Sequence, residues 1–87
     1  MEKAHIENNV IEVINSHCPY KNEKLDADKD LRDNYGIDSI ILVEVLVELE
    51  SVMNINFDSN LLAYDNFSTI NKITDYIYEL QNHSGNE

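Results

Sequence analysis

The sequence predicts an all-α fold: a four-helix bundle with a long first loop and a short third helix. Only two glycines and one proline interrupt the 87 residues, and apolar residues mostly recur at spacings of three and four. The longest polar stretch lies between the first two predicted helices. A chain of this length has one thin core, so we assign residues 1–81 to a single domain and expect residues 82–87 to be a frayed tail.

The first predicted helix runs from about Glu2 to His17 and ends before Pro19, which cannot continue a helical hydrogen-bond ladder. Its apolar stripe consists of Ile6, Val10, Val13 and Ile14, with Ile11 beside it. Residues 21–38 form a long polar connection, for which we expect a short turn near Asp30 to Asn34. The apolar anchors of this connection are Leu25, Leu31, Tyr35 and Ile37.

The second predicted helix runs from Ser39 to about Met53. A short third helix, with possible caps at residues 58–60, would carry Leu61, Leu62 and Tyr64. Ser68 is the expected cap of the fourth helix, Thr69 to about Leu80. Its inward residues would be Ile70, Ile73, Ile77 and Leu80, with Tyr76 alongside.

The charge of the chain restricts its partners. There are 17 Asp and Glu against 6 Lys and Arg, a formal net charge of −11. This balance argues against nucleic acid and anionic membranes, and it favours basic protein partners. Cys18 is the only cysteine, and the sequence shows neither a signal peptide nor an apolar run of the ~20 residues that a bilayer span needs. We therefore expect a cytoplasmic monomer.

Two motifs suggest chemistry but lack essential parts. "DADKD", residues 26–30, resembles the start of a calcium-binding loop. Position 6 of that loop would be Leu31 instead of glycine, and position 12 would be Ile37 instead of glutamate. A Ser/His/Asp hydrolase would need a glycine-rich oxyanion turn, which is missing around Ser39. We predict no metal site and no catalytic residue.

The helix from Ser39 to Met53 is apolar over most of its circumference. At 100° per residue its core stripe consists of Leu42, Leu46, Leu49 and Met53. One shoulder of this stripe carries Ile40, Val43 and Val47, and the other carries Ile41, Val45 and Val52. Either the neighbouring helices cover both shoulders, or an apolar strip edged by Glu44 and Glu50 stays exposed for a partner.

Ser39 stands where the polar loop becomes this helix. Asp38 is a good N-cap, which makes Ser39 the first helical residue with an outward side chain. Backbone N–H groups at a helix start lack intrahelical partners, and the helix dipole is positive there. The position therefore suits a phosphate ester on the hydroxyl. On the residues alone, an ordinary capping role is the favoured interpretation, because Asp/Ser pairs are common at helix starts.

The stretch "YGIDSIILVEVLVELE", residues 35–50, resembles the signature of the acyl carrier protein family. An Asp-Ser dipeptide followed by an aliphatic residue opens the second helix in that family. The resemblance covers about Glu2 to Leu80, including the long loop, the short third helix and the acidity. It implies that Ser39 carries 4′-phosphopantetheine through a phosphodiester and that Asp38 helps to position this site and the metal ion of the attaching enzyme.

The resemblance also implies partners. A phosphopantetheinyl transferase would attach the arm, and an acyl- or aminoacyl-loading enzyme would charge it. Ketosynthase, acyltransferase or condensation enzymes would then use the cargo, while the carrier itself would catalyse nothing. The implied recognition positions are Ile40, Ile41, Val43, Glu44, Val47 and Glu50.

Departures from the family pattern affect the expected cargo. Carriers of fatty-acid synthesis usually have an acid two residues after the serine, where this chain has Ile41. "GIDSI" is more similar to carriers of polyketide or mixed polyketide–peptide pathways, and "DNFSTINKITDYI" is similar to D-alanyl and aminoacyl carriers. Acyl or polyketide cargo is the leading expectation, and aminoacyl or peptidyl cargo is the alternative. An unmodified helical adaptor is the alternative of another class.

Overall fold

The computed structural model describes residues 2–18 and 24–84, apart from the side chains of Leu61, His83 and Ser84. These residues form four α-helices and two short 3₁₀ turns, which confirms the all-α prediction. The helices are α1 Lys3–His17, α2 Leu31–Tyr35, α3 Ser39–Met53 and α4 Ile70–Ser84, and the 3₁₀ turns are Ser59–Leu61 and Tyr64–Phe67.

The core lies where α1 packs against α3 and α4. Each helix contributes an apolar stripe at helical spacing, because only one face of an amphipathic helix needs to leave water. The buried apolar side chains of the three long helices are Ile6, Val10, Val13, Ile14, Leu42, Val45, Leu46, Leu49, Met53, Ile70, Ile73 and Ile77. The predicted stripes of α1 and α3 are confirmed, while Leu80 of α4 is only partly buried.

The observed helix ends refine the predicted ones. Helix α1 ends at His17, and Cys18 is extended, as expected for a residue before proline. The hydroxyl of Thr69, not that of Ser68, accepts the Lys72 N–H and caps α4, while Ser68 is buried. Helix α4 continues to Ser84, so residues 82–84 are helical where a frayed tail was expected, and residues 85–87 lie outside the described part of the chain.

The long loop is fixed onto the bundle by anchors at both ends of α2. Leu25, Leu31, Tyr35 and Ile37 are all buried, as predicted. The expected turn is α2 itself, which the Asp30 carboxylate caps by accepting the Asp33 N–H at 2.9 Å. Backbone bonds from Leu31 to Ser68 and from Asn71 to Ala27 join the loop to the start of α4. The acidic "DADKD" stretch lies in this tethered turn, with the Asp26 carboxylate accepting the Asp28 N–H.

The predicted short third helix consists of the two 3₁₀ turns. Asp58 caps the first turn through the Asn60 N–H, as expected. An aromatic cluster of Phe57, Phe67 and Tyr76 anchors this segment to α4, with ring centroids 5.3–5.5 Å apart. Within the described ranges, no helix is long and apolar enough to cross a bilayer.

Candidate functional site

The site begins where the chain reverses between α2 and α3. Gly36 ends α2 in the left-handed conformation, with φ 71° and ψ 18°, which glycine adopts without a Cβ penalty. Ile37 follows, fully buried, with its N–H donating to the Leu31 carbonyl. These two residues fix the direction in which the backbone enters α3. They therefore place Asp38 and Ser39 at the surface.

Asp38 and Ser39 have the geometry that the sequence predicted. Asp38 is extended, and its carboxylate accepts the Ile41 N–H at 2.9 Å, so it is the N-cap. Ser39 is the first residue of α3, and its side chain is exposed. Because Asp38 already supplies the capping oxygen, the Ser39 hydroxyl is not needed to close the helix end.

The surroundings of Ser39 are compatible with a covalently attached phosphate ester. The hydroxyl is accessible, and the first turn of α3 presents backbone N–H groups and a positive dipole end. The Asp38 carboxylate is the opposing charge, but it faces the Ile41 N–H. The residues present therefore fit a phosphodiester-linked group at Ser39.

Ile40, Val43 and Val47 form an exposed apolar strip on α3, which we call the α3 strip. Their exposed fractions are 72%, 46% and 59%, unusually high for three neighbouring aliphatic residues on one helix face. Leu62, 41% exposed, lies across a short cleft from this strip. Of the two arrangements left open by the sequence, the exposed one is therefore observed at this shoulder.

The opposite shoulder is different. Val45 is fully buried and Ile41 is partly buried against the core, whereas Val52 is 52% exposed. Ile41 therefore lies away from the α3 strip, although the family resemblance included it among the recognition positions. Its packing makes it a structural residue as well as a candidate contact.

The acids that edge the α3 strip already have contacts within the fold. A Glu50 carboxylate oxygen accepts the Phe57 N–H at 2.8 Å and so ties the end of α3 to the segment after it. His17 at the end of α1 lies with Nε2 2.6 Å from Glu48 and Nδ1 3.8 Å from Glu44. The sequence does not reveal this contact, which depends on how α1 crosses α3.

An apolar cleft runs beside Ser39 between α3 and the two 3₁₀ turns. Its lining consists of Ser39, Leu42, Val43, Leu46, Leu62, Ala63, Tyr64 and Phe67. Further along α3 a second short cleft is lined by Val47, Glu50 and Phe57, and it shares Val43, Leu46 and Leu62 with the first. Ser39 therefore lines one of two adjacent apolar clefts, which together we call the groove.

Tyr64 connects this groove to the loop before α3. Its hydroxyl donates to the Asp30 carboxylate at 2.8 Å and accepts the Arg32 N–H at 2.6 Å. Desolvation by burial, followed by the bond to Asp30, raises the pKa of Tyr64 to about 12 although the Arg32 N–H acts in the opposite direction. The bond from the Asp33 N–H is the main cause that lowers the pKa of Asp30. Sequence reasoning placed Tyr64 on the third helix but did not identify these partners.

Cys18, His5 and His17 do not line the cleft at Ser39. Cys18 is packed against the core with its Sγ 3.4 Å from the Tyr35 carbonyl. His5 is exposed on α1, and the His83 side chain lies outside the described residues. His17 contacts Glu44 and Glu48, not Ser39.

Comparisons with known proteins show what the chain is similar to. Residues 8–77 match the family model described as "Phosphopantetheine attachment site". The orsellinic acid synthase armB of Armillaria mellea is 31% identical over 83 residues, which are 94% of this chain and only 4% of that protein. The chain therefore spans a small fraction of that fungal relative. No solved structure is significantly similar to the chain.

Shorter relatives match a smaller part of the chain. The D-alanyl carrier protein of Streptococcus uberis (strain ATCC BAA-854 / 0140J) is 38% identical over 55 residues, 63% of this chain and 70% of that protein. The D-alanyl carrier protein of Streptococcus pyogenes serotype M5 (strain Manfredo) is 41% identical over 54 residues, 62% of this chain and 68% of that protein.

Proposed function

The chain belongs to the phosphopantetheine attachment-site family, and from that premise we propose that it carries an acyl or polyketide intermediate as a thioester. Membership implies a covalently attached 4′-phosphopantetheine group. We propose Ser39 as the attachment residue and a carrier role without catalytic activity of its own. When attached, the group supplies a terminal thiol that holds the cargo.

The observation that carries this assignment is the exposed Ser39 hydroxyl at the start of α3 with Asp38 as its cap. An attachment residue must be reached by another enzyme, so a buried or bonded hydroxyl would not serve. Asp38 holds the helix start by its bond to the Ile41 N–H, which leaves the serine side chain to the solvent. In the proposed role, Asp38 also helps to position the attaching enzyme's metal ion.

The α3 strip is the proposed surface on which partner enzymes dock. It begins at Ile40, next to the attachment residue, so a partner that covers the strip also reaches the arm. Exposed apolar area of this kind marks interaction sites, and Glu44 adds negative charge at its edge. The partners in this proposal are a phosphopantetheinyl transferase, a loading enzyme and a ketosynthase, acyltransferase or condensation enzyme, acting in the cytoplasm.

The cargo proposal uses the relatives. The match to orsellinic acid synthase covers 94% of this chain, which favours an acyl or polyketide intermediate. The D-alanyl carrier proteins have a higher sequence identity to this chain, but over a shorter stretch, and they are themselves small proteins. An aminoacyl or D-alanyl cargo is therefore the second candidate.

Intact-mass spectrometry after incubation with coenzyme A and a broad-specificity transferase tests the carrier role. We expect the native chain to gain one phosphopantetheine and Ser39→Ala to gain none. The matched control is Ser51→Ala, an exposed serine of the same helix, which should be modified like the native chain. An unmodified native chain would contradict the carrier proposal and favour a helical adaptor.

A second experiment separates the two cargo classes. The phosphopantetheine-bearing chain is offered to a panel of acyltransferases with acyl-coenzyme A donors and to adenylating ligases with ATP and amino acids. Loading by the first group only is the expected result. Loading by the ligases only would replace the acyl proposal by the aminoacyl one.

A further inference from the structure

We propose that Arg32, held on the ring of Tyr64, is a positioning residue that pairs with the phosphodiester of a group attached at Ser39. This inference rests on the proposed attachment at Ser39. It adds a contact for the arm outside α3. It also gives a role to the Arg32 guanidinium, which takes no part in the proposed docking surface.

The geometry that supports the proposal centres on Tyr64. The Arg32 guanidinium carbon lies 4.4 Å from the Tyr64 ring centroid, within the range of a cation–π contact. Tyr64 also lines the cleft to which Ser39 belongs. One aromatic ring thus contacts the guanidinium and borders the cleft at the candidate attachment residue.

The backbone fixes this arrangement. The Arg32 N–H donates to the Tyr64 hydroxyl at 2.6 Å, and that hydroxyl donates to Asp30 at 2.8 Å. The two bonds hold the start of α2 against the second 3₁₀ turn. The position of the Arg32 guanidinium near Tyr64 therefore does not depend on stacking of the two side chains alone. A pre-oriented side chain loses less rotamer entropy when it binds an anion.

The charges around Arg32 leave it available for an anion. Within the described part of the chain, Arg32 forms no direct ion pair. Asp30 is the acid that interacts with it electrostatically, but one Asp30 oxygen already accepts both the Asp33 N–H and the Tyr64 hydroxyl. A guanidinium offers paired N–H donors that match two phosphate oxygens. It therefore suits a phosphodiester better than the ammonium group of a lysine does.

The experiment is ³¹P NMR of the chain after loading with phosphopantetheine, which contributes the phosphodiester signal. We expect Arg32→Gln to shift this resonance and narrow its line relative to the native chain, because the phosphate loses a partner and moves more freely. Arg32→Lys keeps the charge without the paired donors, so its signal should lie between the two. Added salt should move the native resonance towards that of Arg32→Gln.

The matched control is Lys29→Gln, which removes the same charge from an exposed residue of the same loop. Its ³¹P signal should equal that of the native chain. Equal changes in Lys29→Gln and Arg32→Gln, or no change in either, would overturn the role of Arg32 while leaving attachment at Ser39 intact. If the loaded native chain gives no phosphodiester resonance, the attachment proposal fails and this inference fails with it. Melting curves of the unloaded variants verify that both remain folded.

Discussion

The two shoulders of α3 have nearly the same composition but different environments. On one side Val45 is fully buried and Ile41 packs against the core. On the other side Val43 and Val47, only two residues away from Val45 on either side, are 46% and 59% exposed. The same helix therefore carries one apolar shoulder that is packed at Ile41 and Val45, although Val52 at its end is exposed, and another that is exposed at Ile40, Val43 and Val47.

The difference follows from where the neighbouring elements lie. Glu48 is next to Ile41 on the helical wheel, and its carboxylate contacts His17 at the end of α1, so α1 lies on that side. On the other side the neighbours are the two 3₁₀ turns, which approach Leu46 but leave a cleft at Val47. The α3 strip is apolar although it is not packed, so its apolar residues do not serve the stability of the core. We propose that they serve docking.

The largest expected effect comes from placing a charge on each shoulder. Val45→Asp should leave the chain unfolded, because an unpaired buried charge costs several kcal/mol and small domains have only about 5–15 kcal/mol of stability. Val47→Asp should fold and melt cooperatively, since its side chain is in water. Far-UV circular dichroism with thermal melting measures both. Unfolding of Val47→Asp would show that the α3 strip is core.

A milder truncation compares the core stripe with the strip. Leu46→Ala should lower the free energy of unfolding by about 2–5 kcal/mol, because Leu46 is only 3% exposed and its truncation leaves a cavity. Val43→Ala, one turn away on the exposed side, should change it by less than about 0.5 kcal/mol. Urea denaturation of the two variants gives the difference. Similar losses would contradict the assignment of these two residues to different environments.

Function should depend on the strip and not on exposed valines in general. Val47→Asp should lower kcat/KM for loading by the transferase about 10-fold, the effect of losing ~1.4 kcal/mol at a docking hot spot. Val52→Asp is the matched control, a 52% exposed valine on the other shoulder, and it should load like the native chain. Equal loading of the two variants would remove the α3 strip from the transferase interface.

Much of this difference could not be predicted from the sequence. The helix wheel identifies both shoulders, and the motif at Asp38 and Ser39 predicts the start of α3 to the residue. Whether a shoulder is covered depends on how α1 and the 3₁₀ turns are placed, which is set by long-range packing. The bond from Phe57 to Glu50 and the Tyr64 contacts join residues distant in sequence, so no local pattern reveals them.

Thr74 within α4 and Thr69 just before it extend the comparison of buried and surface positions. The Thr74 hydroxyl is buried and has no hydrogen-bond partner among the described residues, whereas the Thr69 hydroxyl caps the helix. Thr74→Val should therefore raise the free energy of unfolding by about 1 kcal/mol, while Thr69→Val should lower it by about 1 kcal/mol. Thermal and urea unfolding of both variants measures the signs. A loss in Thr74→Val would mean that its hydroxyl has a partner.

The smallest expected effect concerns acid stability in the loop. The pKa of Asp30 is lowered in the folded chain, so its contribution to stability is present above the unfolded value near 3.8. That contribution is lost as the pH falls through the lower folded value. Asp30→Asn keeps a capping oxygen but loses the charge. It should therefore lower the free energy of unfolding at neutral pH and make that free energy fall less steeply as the pH becomes acidic. Asp33→Asn, which changes an exposed acid of the helix that Asp30 caps, is the control. If the free energy of unfolding fell equally steeply with acidic pH in the native chain and in Asp30→Asn, this assignment would be contradicted.

The most direct test of the account is the location of the arm within the loaded chain. Trypsin should release residues 33–72 as one peptide, because no Lys or Arg lies between Arg32 and Lys72. This peptide contains four serines, Ser39, Ser51, Ser59 and Ser68, so its fragmentation identifies the modified one. The account predicts phosphopantetheine on Ser39 and on no other residue of the peptide. A fragment series that places the added mass on any other residue would contradict it.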